Sequence, residues 1–308
     1  MLCCAAIHVC RRAGAGWAVP LALLLAACAG TSPPPFRPAA LTAEQAQLCR
    51  AAEQAYRGRT PEYEALRQRA AADPTTAVWL TRMFIRDVLT VREGRPIGDD
   101  QGLLLAAARK DVLVETRATA EIEALGPVAV PTLVGDLLCH GQAQTRELGV
   151  ELLARIGPVA VPAVQQLAAS SDPRQRRSAA LALGAIGAGG VVLPTLQRLA
   201  ADTEFTVRAD ALHNLHDGGA PARALLLDRL HGDDDPFVRR AAAESLQHFP
   251  GRTSAVALID YLERCKRDRE YRGEQVAQAS LQAIAGTRGP RTPAAWRTFA
   301  DTLTDTDR

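Results

Sequence analysis

The string Gly-Pro-Val-Ala-Val-Pro occupies residues 126–131 and again 157–162, and this 31-residue spacing constrains the fold more than any other feature of the chain. A period of roughly 20–50 residues marks a stack of small supersecondary units, each unable to bury its apolar face alone. The apolar residue four before the first glycine serves as an anchor. It gives Ile122 and Leu153, and the series continues through Leu183, Leu215, Leu246 and Leu281 in steps of 31, 30, 32, 31 and 35. Four before each anchor stands a small residue: Ala118, Gly149, Ala179, Ala211, Ala242 and Ala277. Three after it come Leu125, Ile156, Ile186, Gly218, Phe249 and Ile284, followed by Gly126, Gly157, Gly187, Gly219, Pro250 and Ala285. Eleven before it lies a polar, mostly acidic residue: Asp111, Gln142, Asp172, Glu204, Asp235 and Glu270.

Each column has a physical reason. An acid eleven before the anchor suits a helix N-cap, and Pro173 and Pro236 follow it at the tolerated first helical position. The offsets −4, 0 and +3 put one small and two large apolar residues on one helical face. Glycine after the last of them is a C-cap. A second apolar helix then follows, with core positions at Leu133 and Leu137, Val164 and Leu167, Leu196 and Leu199, Leu226 and Leu230, and Leu258 and Leu262. The spacing therefore predicts an all-α fold, an α-solenoid of about six stacked helical hairpins over residues 111–303. Residues 41–110 read as a helical cap on its N-terminal end, with Thr42, Thr60, Asp73 and Asp99 as N-caps and Pro61 and Pro74 behind two of them. Trp296 and Phe299, in a helix started by Thr292-Pro293, would close the other end.

The stretch Asp235-Pro-Phe-Val-Arg-Arg-Ala-Ala-Ala-Glu-Ser-Leu246 resembles the D-P-x-V-R-x-x-A-x-x-x-L signature of HEAT-like repeats of the phycobilisome-lyase type, and residues 172–187 are similar. The resemblance covers roughly residues 111–303. It implies a helical scaffold and leaves function open, because such repeats serve scaffolds, lyases, hydroxylases and glycosylases. The hydroxylases bind iron through His-Glu pairs, and this sequence has no His-Glu dipeptide.

The first residues read as an address. Arg11 and Arg12 precede an apolar run from Trp17 to Ala27, and eleven residues rise only ~16 Å as a helix, about half a bilayer core. Residues 1–27 are thus expected to be a signal peptide. Leu25-Ala26-Ala27-Cys28 resembles a bacterial lipobox, which implies cleavage before Cys28 and lipidation of that residue, and hence a membrane-anchored envelope lipoprotein. No acid follows Cys28, which favours the outer membrane over the inner and places the body on the periplasmic side. Residues 28–40, with Pro33, Pro34, Pro35 and Pro38, read as a stiff tether. Cys49, Cys139 and Cys265 are far apart and odd in number, so they read as small buried apolar residues rather than disulfide partners or zinc ligands.

Without the leader the chain carries 34 basic and 34 acidic residues, unsuited to electrostatic nucleic-acid binding. Asp210, His213 and His216 share a helix at metal-ligand spacing, but Glu151, Glu244, Glu123 and Gln247 fill the histidine columns elsewhere, which marks a solvent-facing side. Asp233-Asp234-Asp235 lacks the ligand alternation of a calcium loop and reads as one N-cap with two solvated acids. Arg146, Arg176, Arg208 and Arg239 recur seven before the anchor and are expected to pair with acids of the next unit. No cofactor and no catalytic constellation is called for. The expected activity is capture of a protein partner on a concave face lined by second helices, through Gln165, Gln166, Gln197, Arg198, Asp228, Arg229, Tyr261 and Arg264. The alternative is a HEAT-like enzyme, lyase-like or metal-dependent, of unknown substrate.

Overall fold

The computed structural model describes residues 40–93, 101–187, 189–286, 289–290 and 292–305, with residues 93 and 101–111 as backbone alone. The leader at 1–27, Cys28, the tether up to residue 39 and Asp99 lie outside the described residues. Among the described residues every regular element is a helix.

Three helices open the fold: α1 (Ala43–Gly58), α2 (Tyr63–Ala71) and α3 (Pro74–Glu93). Thr42 and Gln45 form a capping box on α1, and the Asp73 carboxylate accepts from the N–H groups of Thr75 and Thr76 at the start of α3. Thr60 is not the N-cap of α2, which begins at Tyr63. Arg59 turns left-handed (φ 55) and the Thr60 N–H closes back on the Ala55 carbonyl, so Thr60 ends α1 instead. The N-terminal helices pack onto the repeats. Arg82 makes two bonds to Asp136, Arg92 bridges Glu115 and Glu151, and the Tyr63 hydroxyl donates to Glu121 at 2.6 Å.

Helix α4 runs unbroken from Gln101 to Leu125, so Asp111 lies within it and does not cap it. The expected boundary at 110/111 falls inside one helix because Leu103–Lys110 are strong helix formers with nothing to stop them. The rest are hairpins. α5 (Val130–Thr132) continues as a π-helical turn over Leu133–Leu138, and α6 (Ala143–Ile156) is followed by α7 (Val161–Leu167). Next come α8 (Pro173–Ile186) with α9 (Leu193–Leu199), and α10 (Phe205–His213) with α11 (Gly219–Gly232). α12 (Pro236–Ser245) pairs with α13 (Arg252–Asp268), and α14 (Tyr271–Ala285) with α15 (Pro293–Ala300).

All six anchors and the six small residues are buried. Their function is close approach: a methyl built on Gly149 would stand 2.8 Å from the Leu137 Cβ. The fourth unit departs from the rest. Its first helix ends early at His213, where the Asn214 amide donates to the Asp210 carbonyl at 2.7 Å and its side chain lies on Gly184 of the unit before.

An arginine ladder ties the first helices together. Arg146, Arg176, Arg208 and Arg239 each donate one Nη1 to two carbonyls of the turn before their own helix. Three of them also reach an acid of the next unit: Arg176 to Asp202 (2.7 Å), Arg208 to Asp233 (2.9 Å) and Arg239 to Glu270 (3.7 Å). Asp202 and Asp233 accept in turn from the N–H groups of Glu204 and Asp235, so each carboxylate also fixes its own turn. At the equivalent place in the third unit stands Ser170, which accepts from the Asp172 N–H.

The far end is closed by two tertiary contacts. Trp296 is fully buried, donates to Gln278 at 3.3 Å and meets the Phe299 ring edge-on. Asp305 accepts from the Thr253 N–H at 3.0 Å and so caps α13, whose own N-cap, Gly251, has no side chain to do it.

Candidate interaction surfaces

The second helices present the residues expected to meet a partner, and their geometry divides that set. Gln166, Arg198 and Asp228 are exposed, while Gln165, Gln197, Arg229 and Arg264 are half-buried. Several hold neighbouring units together. Gln165 donates to the Val191 carbonyl and the Thr195 hydroxyl, Arg198 reaches back to the Ala168 carbonyl, and Arg264 to the His231 carbonyl. Arg229 stands 4.0 Å from the buried Asp233. Tyr261 is not on the surface at all, with 3% of its area exposed. It points into the joint with α14, where Gly273 makes room: a methyl there would lie 2.7 Å from the phenol oxygen and 2.6 Å from the Cys265 Sγ. Burial raises the phenol's pKa above its ordinary value and pushes the Cys265 thiol up to about 11. Cys49 is buried likewise, whereas Cys139 is only half-buried.

The three candidate ligands neither share one helix nor gather: α10 ends at His213, so His216 lies beyond it. The Asp210 carboxylate is taken by Arg177 at 2.6 Å. His213 stands 3.4 Å from Glu244, and His216 stands 3.4 Å from Asp217, with its ring 5.7 Å from that of His248. Among the described residues no three His, Cys, Asp or Glu side chains are grouped to hold a metal. The triple aspartate also differs from expectation. Asp235 caps α12 and Asp234 is exposed, but Asp233 is buried. Burial opposes its ionisation, yet the Arg208 guanidinium and the Asp235 N–H outweigh that cost and hold the carboxyl below the usual range. A shallow open hollow of about 20 Å³ lies between the third and fourth units, lined by Leu183, Leu193, Leu196, Leu215, His216 and Asp217 among others.

A ladder of buried anchors, small-residue contacts and stacked hairpins is the geometry of a helical repeat, and the chain matches HEAT repeats over residues 130–216 and 194–285. The protein belongs to the HEAT-repeat family. The match spans residues 130–285, just over half of the chain; α4 before it and α15 after it complete the first and last hairpins. No curated protein matches the sequence.

The HEAT repeats also carry a surface feature outside the buried columns. The protein has few aromatic residues, yet Phe205, Phe237 and Tyr271 are 40%, 40% and 72% exposed. All three occupy the first or second position after the N-cap of a first helix, in three consecutive repeats. The Phe205 and Phe237 rings meet edge to face with centroids 6.1 Å apart, and the Arg240 guanidinium lies 5.6 Å over the Phe237 ring. The signal was legible as a column just behind the N-caps, but a search for buried periodicity looks past exposed positions.

Proposed function

We propose that the protein is a lipid-anchored scaffold of the bacterial envelope that captures a protein partner along its second-helix face and performs no turnover. The observation that carries this reading is the arginine ladder. It commits the recurring arginines to holding hairpins in register, which supports a structural use of the stack as a surface. HEAT repeats are helical scaffolds, and the arrangement here supports that use. The anchor rests on Leu25-Ala26-Ala27-Cys28 behind a short apolar run. No described helix is long and apolar enough to cross a membrane. Of the second-helix residues, Gln166, Arg198 and Asp228 are the exposed ones.

The experiment is site-specific photocrosslinking in the native envelope, with the crosslinker at Gln166 or Asp228 of the full-length chain. One defined protein should be captured from both positions, and a crosslinker on the opposite layer, at Glu147, should not capture it. Capture equal from all three positions, or a metal- or substrate-dependent turnover by the purified protein, would overturn the reading.

A further inference from the structure

The fourth and fifth units leave their first helices in a way the others do not. Elsewhere the first α-helix runs past its anchor, to Leu125, Ile156, Ile186 and Ala285, whereas α10 stops at His213 and α12 at Ser245, each short of its anchor. In the fourth unit the Asn214 amide donates to the Asp210 carbonyl and takes over the end of the helix. In the fifth, a tighter single turn over Leu246–His248 follows, and Pro250 keeps Phe249 out of the helical region. Beyond these two ends, His216, one residue after its anchor, stands beside His248, two residues after the next. Their ring centroids are 5.7 Å apart, the planes tilted by 52°, and both residues are exposed.

The surroundings of the two rings are those of donors. The Asp217 carboxylate stands 3.4 Å from His216 Nε2, and the Gln247 amide 3.5 Å from His248 Nε2. A carboxylate on one ring nitrogen is the contact that orients metal-bound imidazoles, and it leaves the other nitrogen, Nδ1, as the donor. Imidazoles that share one zinc ion, with Zn–N of ~2.0–2.1 Å, hold their ring centres roughly 5–6 Å apart. The spacing of His216 and His248 lies in that interval. The local charge favours a cation, since Asp217 is the fully charged residue among the described ones lining the hollow beside His216.

We propose that His216 and His248 form a clip for one divalent ion of the zinc and copper class, each giving Nδ1, with Asp217 holding the His216 ring and water filling the outward positions. Two protein donors make the site open and exchangeable, unlike the closed set of four that structural zinc takes. Among the described residues no third His, Cys, Asp or Glu completes a group around them. Imidazole selects these ions over Mg²⁺ and Ca²⁺, which take oxygen donors. The place of the clip gives it a consequence. The Arg208–Asp233 rung joins the fourth and fifth units where their first helices begin, and the ion joins them where those helices end. The joint is pinned at one end by the ladder and at both ends when the ion is bound. No turnover is involved, so the clip stands apart from the second-helix reading.

Titration calorimetry of the full chain with zinc chloride tests this. One Zn²⁺ should bind per chain, and the melting midpoint should rise with Zn²⁺ but not with Mg²⁺. His216→Gln and His248→Gln should each remove both responses, and Asp217→Asn should weaken binding about tenfold. His140→Gln, at an exposed histidine elsewhere, should bind as the parent does. In EDTA all four variants should melt like the parent, because the altered side chains are exposed. With Cu²⁺ as the probe, electron paramagnetic resonance should show two ring nitrogens in the parent and no more than one in the His216 or His248 variant, a count independent of stability. The proposal is overturned by a chain that does not respond to Zn²⁺, by a response that Mg²⁺ reproduces, or by binding that persists in both histidine variants. Binding lost with His213→Gln but kept with His248→Gln would also overturn it, since the ion would then sit on the His213 side of the joint.

Discussion

Arg208 commits all three guanidinium nitrogens to fixed partners: Nε and Nη2 donate to the Asp233 carboxylate, at 2.9 Å each, and Nη1 donates to the carbonyls of Asp202 and Thr203. Removing Arg208 leaves the buried Asp233 carboxylate with only Arg229, 4.0 Å away, and the Asp235 N–H, so Arg208→Ala should cost about 3–5 kcal/mol in urea denaturation. Arg155, half exposed beside Glu123, offers the contrast: Arg155→Ala should cost less than about 1 kcal/mol. The carboxyls of Asp202 and Asp233 lie below the usual range when folded, so the unfolded chain takes up those protons first as pH falls. Their contribution is complete above the unfolded pKa of about 4 and is lost as pH drops through the lower folded values; Asp233→Asn should flatten that part of a stability-against-pH curve. The arginine column was legible because each arginine recurs at one distance from a periodic anchor. The Asp305 cap was not, because it lies 52 residues from Thr253 and belongs to no repeat. Asp305→Ala should cost about 1 kcal/mol, read from the same denaturation curves.

At the scale of helices the periodic core carries the fold. Leu183 and Leu246 are fully buried, and Leu183→Ala or Leu246→Ala should cost about 2–5 kcal/mol by leaving a cavity. Ala179→Leu places bulk where α8 meets its neighbours and should cost about 1–3 kcal/mol by overpacking. Melting followed by circular dichroism checks all three, and a variant as stable as the parent would contradict the packing described. Hairpins and their order followed from spacing because every repeat buries the same face. Asp111 and Tyr261 are among the positions that did not follow. Asp111 matches the N-cap column but sits in a run of helix formers, and a cap residue without a preceding breaker does not start a helix. Tyr261 matches an outward position of its helix, yet Gly273, on the following helix, opens a slot that draws the phenol in. Both errors come from reading one repeat at a time, when the outcome is set by what stands beside it.

Across the whole molecule, attachment and architecture meet at the N-terminus. If Cys28 bears lipid, Cys28→Ala should release the protein from membranes without detergent, as a fractionation blot would show; retention of the variant would remove the anchor from the reading. An anchored scaffold that grips a partner is loaded in tension along its stack, and the ladder then decides where it yields. Joints from the third unit onward are bolted by carboxylate rungs, whereas Arg146 makes no ion pair among the described residues and Ser170 holds the repeat position that Asp202 and Asp233 hold later. Pulled from its ends, the stack should part first between α6 and α8. A force-extension trace would then break into two unequal steps, and Ser170→Asp, by supplying the missing rung, should move the first of them to higher force.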